Sequence, residues 1–115
     1  MNAATQMKNA WIDICSIADL VDYSGISAMI NGQQIAIFYV PDAEPAVYAL
    51  DNFCPAAQAN VLARGVVGDI NGELVVASPI YKEHFSLISG QCLEKPLSVR
   101  TWAVSIQNGR VLVTV

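Results

Sequence analysis

The chain has 115 residues, 54% apolar and only 14% charged, with a net charge of −4, three cysteines and one histidine. Such a length suits one domain with one ordinary core, and the six basic residues lie too scattered to form a stripe that could neutralise phosphates. Nucleic-acid binding and a polybasic membrane anchor are therefore not expected. No run approaches the roughly 18 apolar residues of a spanning helix, and no export signal opens the chain, so a cytoplasmic protein is expected. Cys15, Cys54 and Cys92, odd in number and without a C-x-x-C pair, read as reduced thiols. The apolar share is above average; an alanine-rich composition or a buried partner surface would explain it.

Residues 1–10 are small and polar and are expected to fray, leaving residues 11–115 as a single domain. Trp11-Ile12-Asp13-Ile14 begins the sheet. Residues 16–21 spell one helical turn, with Ser16 as N-cap and Asp19 at capping-box spacing. Three Asn-Gly pairs follow at Asn31-Gly32, Asn71-Gly72 and Asn108-Gly109. Both residues tolerate positive φ, so each pair predicts a tight hairpin between strand-like flanks: 27–30 with 33–39, 66–70 with 73–77, and 99–106 with 110–115. Along 99–106 the side chains alternate with a period of two, which predicts one continuous strand with one fully and one partly covered face.

Val47-Tyr48-Ala49-Leu50 predicts a further strand, and segments 85–87 and 91–93 bracket a Ser89-Gly90 turn. A short turn is expected within 55–65, with Gly65 supplying a positive φ beside Arg64. The pattern predicts an all-β sandwich or small barrel of about eight to ten antiparallel strands.

Two loops stand out by composition: Asp51-Asn52-Phe53-Cys54-Pro55-Ala56, and the segment from Ala77 through Ser78-Pro79-Ile80-Tyr81-Lys82-Glu83-His84 to Phe85. Together with V-L-A-R-G at 61–65, the Gly72-Glu73-Leu74 turn, Phe85 and Gly90, they resemble a Rieske domain. A Rieske cluster needs two thiolates on one iron and two imidazoles on the other. Laid on this chain, those positions fall at Cys54, Ala56, Ser78 and Tyr81, so one ligand survives. The lone His84 lies three positions past the second histidine position and reads as an exposed loop residue.

The family that combines this fold with lost ligands is the small subunit of the NAD(P)H-dependent nitrite reductase. The chain is similar to it in W-x-x-I-C at 11–15, Q-x-A-I-F at 34–38, V-Y-A-L at 47–50, N-x-C-P at 52–55, G-E-L-x-V-A-S-P at 72–79 and G-x-C-L at 90–93. The V-A-S-P stretch at 76–79, with Lys82 in place of the usual glycine after the second histidine position, is the most diagnostic part.

The resemblance implies a Rieske-like fold with the two former cluster loops at one end and no cofactor in this chain. It further implies a large-subunit partner that carries flavin (FAD), siroheme and an iron-sulfur cluster and reduces nitrite to ammonium. Loops projecting from a rigid scaffold suit docking. Pro55, Pro79, Ile80 and Tyr81 are the candidate apolar contacts, Arg64 and Lys82 the candidate rim charges, and His84 a further candidate. A serine nucleophile at Ser78 would need a base and an orienting carboxylate, and the sequence identifies no carboxylate for His84. Two alternatives stand beside this reading: a ferredoxin with unusual iron ligands, and an interaction domain serving another oxidoreductase.

Overall fold

The computed structural model describes residues 10–114. The expected frayed segment therefore lies outside the described residues except for Ala10, whose carbonyl accepts a hydrogen bond from Thr114 Oγ1 at 3.1 Å.

The strands are β1 (Trp11–Ser16), β2 (Ser24–Ile30), β3 (Gln33–Tyr39), β4 (Val47–Asp51), β5 (Phe53–Cys54), β6 (Ala59–Asn60), β7 (Val66–Ile70), β8 (Glu73–Ala77), β9 (His84–Ser86), β10 (Thr101–Trp102), β11 (Val104–Gln107) and β12 (Arg110–Thr114). They form four antiparallel sheets, ordered β1-β12-β11, β10-β4-β3-β2, β5-β6 and β7-β8-β9. All three Asn-Gly pairs sit in hairpin turns, with φ of 50° to 53° at the asparagines and 75° to 88° at the glycines. Those values are the reason this dipeptide closes a two-residue hairpin whose strands keep their right-handed twist.

β3 and β4 are buried on both faces. Ala36, Phe38, Tyr48 and Leu50 point into one core with Cys54, Leu62, Val76, Phe85 and Leu87. Their neighbours Ile35, Ile37, Val47 and Ala49 point into a second core with Val111 and Val113 of β12. The four-stranded sheet is thus the middle layer, between the β1-β12-β11 sheet and the module built from residues 51–99. Phe38, Ile35, Ile37 and Leu50 are fully buried, and each such side chain contributes roughly 1.5–3 kcal/mol. A middle layer covered twice accounts for the high apolar share within one chain.

The turn at Ile17–Asp19 is a 3₁₀ turn with the full capping box: Ser16 Oγ accepts from the Ala18 amide at 3.2 Å, and Asp19 Oδ2 accepts from the Ser16 amide at 3.1 Å.

Three expectations change. The strand expected over 99–106 is interrupted at Ala103, because β10 pairs with β4 of the middle layer while β11 pairs with β12 of the outer sheet. One stretch serves two layers, and Trp102 and Val104 are half-buried rather than lining a fully covered face. Twelve short segments replace the eight to ten strands expected, since β5, β6 and β10 are two residues each, below the length at which alternation can be read. Gly65 closes the 3₁₀ turn Leu62–Arg64, but its φ is −74°. Space, not handedness, demands glycine there: a Cβ would lie 2.3 Å from the Ala77 carbonyl oxygen.

Candidate functional site

The two loops form matching turns. In the first, the Gln58 amide donates to the Cys54 carbonyl at 2.8 Å; in the second, the Lys82 amide donates to the Ser78 carbonyl at 3.0 Å. Each turn therefore runs five residues, has proline second, and ends on a left-handed residue, Gln58 at φ 56° or Lys82 at φ 64°. Gly65 presses residues 62–65 against the end of β8, which brings the close of the first loop to the start of the second.

At the base of both turns the first residues meet. Cys54 and Ser78 are buried, and Cys54 Sγ donates to Ser78 Oγ at 3.5 Å. The serine oxygen also accepts from the Ile80 amide at 3.4 Å.

Beyond that base the loops diverge. Ala56 and Ala57 are half-buried and pack on the first core, while Gln58 Nε2 donates to the Pro55 carbonyl at 2.7 Å. Pro79, Ile80, Tyr81 and Lys82 are exposed, with Ile80 at 50% and Tyr81 at 63%. Arg64 is exposed on its 3₁₀ turn. The structure thus joins Cys54 to Ser78, while Ala56 packs on the first core and Tyr81 is exposed to solvent.

His84 is not a loop residue. It opens β9 and is half-buried, and its missing carboxylate is Glu94, ten residues on. The Nδ1 nitrogen donates to Glu94 Oε2 at 2.6 Å, and the His84 amide donates to Oε1 at 2.9 Å. That amide bond, followed by the imidazole, holds the Glu94 carboxyl below its ordinary pKa. Next to it, Lys95 Nζ pairs with buried Glu83 Oε2 at 2.8 Å, lowering the Glu83 pKa and raising that of Lys95. The consecutive pair Glu94-Lys95 therefore clasps the consecutive pair Glu83-His84 where the second loop returns to the sheet. Both ends of that clasp are local in sequence, but the alignment of the two pairs depends on the isolated Phe85–Cys92 bridge.

Asn52 anchors the first loop. Buried at 3% exposure, it donates from Nδ2 to Gln34 Oε1 at 2.9 Å and accepts from the Ala63 amide at 2.7 Å. Its carbonyl accepts from the Val61 and Leu62 amides. An asparagine directly after a strand is a signal for such loop bonding, and the Q-x-A-I-F motif holds its partner.

The family model described as "Rieske-like [2Fe-2S] domain" matches residues 10–114. This chain belongs to the Rieske-like family. Over 102 residues it is 37% identical to the "Nitrite reductase (NADH) small subunit" of Escherichia coli strain K12, covering 88% of this chain and 94% of that protein. It therefore also belongs with the nitrite reductase small subunits. A match to the "Nitrite reductase [NAD(P)H] large subunit" of Klebsiella oxytoca reaches 43% identity over 104 residues; this chain spans 11% of that relative's length. The solved E. coli protein NirD superposes with a TM-score of 0.82 at 35% identity, covering 91% of this chain and 96% of NirD.

The side chains at the positions that the sequence resemblance lays on the cluster ligands do not fit a [2Fe–2S] cluster. Ala56 has no donor atom, Ser78 offers a hydroxyl already bonded to Cys54 and Ile80, and Tyr81 offers an exposed phenol where an imidazole is required. Among the described residues no group of three or more His, Cys, Asp or Glu side chains is placed to hold a metal. No helix among them is long and apolar enough to cross a membrane.

Proposed function

We propose that this chain is the small subunit of a cytoplasmic NAD(P)H nitrite reductase, holds no cofactor of its own, and docks by its loop end on a large subunit. Flavin, siroheme and an iron–sulfur cluster on that partner carry the reduction of nitrite to ammonium. This chain supplies a rigid surface.

One observation carries the reading. The second loop is a hydrogen-bonded turn, closed from the Lys82 amide to the Ser78 carbonyl, that presents an exposed Pro79-Ile80-Tyr81 tip. Contiguous exposed apolar side chains on a well-bonded loop are characteristic of an interface. Pro55 and Arg64 lie at the adjoining end of the first loop, and His84 forms part of the clasp that fixes the second loop's exit. The names of the relatives support the partner's identity. So does the Klebsiella relative, in which a homologous domain is one segment of a chain named as the large subunit.

The test is co-purification of the large subunit with tagged wild type and with an Ile80→Asp, Tyr81→Asp double variant. Recovery with wild type and loss with the variant is expected; equal recovery overturns the reading. Visible absorbance and iron analysis on protein expressed with iron and sulfide separate it from a ferredoxin: a colourless, iron-free product is expected.

A further inference from the structure

The cations of this acidic chain are unequally committed. Lys95 pairs with Glu83, Arg110 pairs with Asp13 at 2.8 Å, and the Arg100 guanidinium lies 3.8 Å over the Trp102 ring. Lys8 is outside the described residues. Among the described residues, the cations left without an acidic or aromatic partner are Arg64 and Lys82, both exposed and both at the loop end.

Lys82 has a second feature, shared with Tyr23 and Gln58, whose side chains are hydrogen-bonded to Asp42 and to the Pro55 carbonyl. Its backbone is left-handed at φ 64°, a conformation that favours glycine or asparagine and disfavours a long side chain. The three hairpin turns use Asn-Gly for the same handedness. What sets Lys82 apart is that its side chain stands beside an exposed apolar tip with its charge unanswered, and a backbone outlier of that kind points to a role for the side chain.

Building on the docking role of this loop, we infer that Lys82 is a recognition residue whose ammonium reads a carboxylate on the large subunit. The partner surface is then an apolar recess that receives Ile80 and Tyr81, with acidic side chains at the rim facing Lys82 and Arg64. A cationic rim on a chain of net charge −4 orients the loop end toward that surface, and its effect falls mainly on the association rate and its salt dependence.

The experiment measures binding kinetics of the full chain to the large subunit at low and high salt for wild type, Lys82→Gly, Lys82→Asn, Lys82→Arg and the Ile80→Asp, Tyr81→Asp variant. Urea unfolding is run on each. The glycine and asparagine variants are expected to be at least as stable as wild type yet to associate about threefold to tenfold more slowly at low salt, a gap that closes as salt rises. Lys82→Arg is expected to restore the rate. Wild-type association by both Lys82→Gly and Lys82→Asn overturns the inference. If the double variant fails to bind in that same experiment, docking through the loop survives without the charge; if it binds normally, the docking reading itself fails. The asparagine variant keeps the result readable should glycine loosen the turn.

Discussion

The two loops share a backbone and differ in what they do with it. Both close on the carbonyl of their first residue and both end left-handed, yet the first turns Ala56 and Ala57 onto the core while the second turns Ile80 and Tyr81 into solvent. The same five-residue turn can therefore be held by different contacts. In the first loop those contacts are internal: Asn52, Gln58 and the packed alanines. In the second they are internal only at the base, through Ser78 and the Glu94-Lys95 clasp, and the Ile80-Tyr81 tip is exposed.

The contrast is most sharply broken at Asn52. Asn52→Ala strips a partner from both Gln34 and the half-buried Ala63 amide, and is expected to destabilise the fold by about 2–4 kcal/mol in urea unfolding. No equivalent residue exists in the second loop. An aspartate swap comes next in size. Ala56→Asp forces a charge against the first core and is expected to cost about 1–3 kcal/mol, whereas Tyr81→Asp is expected to change stability by less than about 0.5 kcal/mol while weakening large-subunit binding. Similar stability losses at the two positions would mean that the loops do not differ as described.

The Asn-Gly hairpins and the capping box at Ser16 were readable because each is a local rule satisfied by adjacent residues. What escaped depends on tertiary pairing. Segment 99–106 alternates like one strand, but Ala103 is where it passes from one layer to another, and alternation alone cannot show a change of partner. Asn52 finds Gln34 across β3, and His84 finds Glu94 only because Phe85 bridges Cys92. Gly65 signals a turn from its position after Arg64, while its true constraint is the Ala77 carbonyl, distant in sequence.

A smaller effect sharpens the role of the clasp. The folded-state pKa of Glu94 lies below its unfolded value near 4.5. Its contribution is therefore fully present above that pH and is lost as pH falls through the lower folded value. Relative to wild type, Glu94→Gln is expected to lose less stability between roughly pH 5 and pH 3, by about a few tenths of a kcal/mol given the solvent exposure of the pair. Parallel pH profiles for the two proteins would show that the His84–Glu94 contact contributes nothing in solution.

The most direct measurement is amide hydrogen exchange on the full chain, alone and with the large subunit. Strong added protection at the Ile80, Tyr81 and Lys82 amides, with Ala56 and Ala57 little changed and the outer β1-β12-β11 sheet unchanged, is the expected result. Protection that falls on the outer sheet and leaves 80–82 exchanging as in the free chain would contradict docking through the second loop.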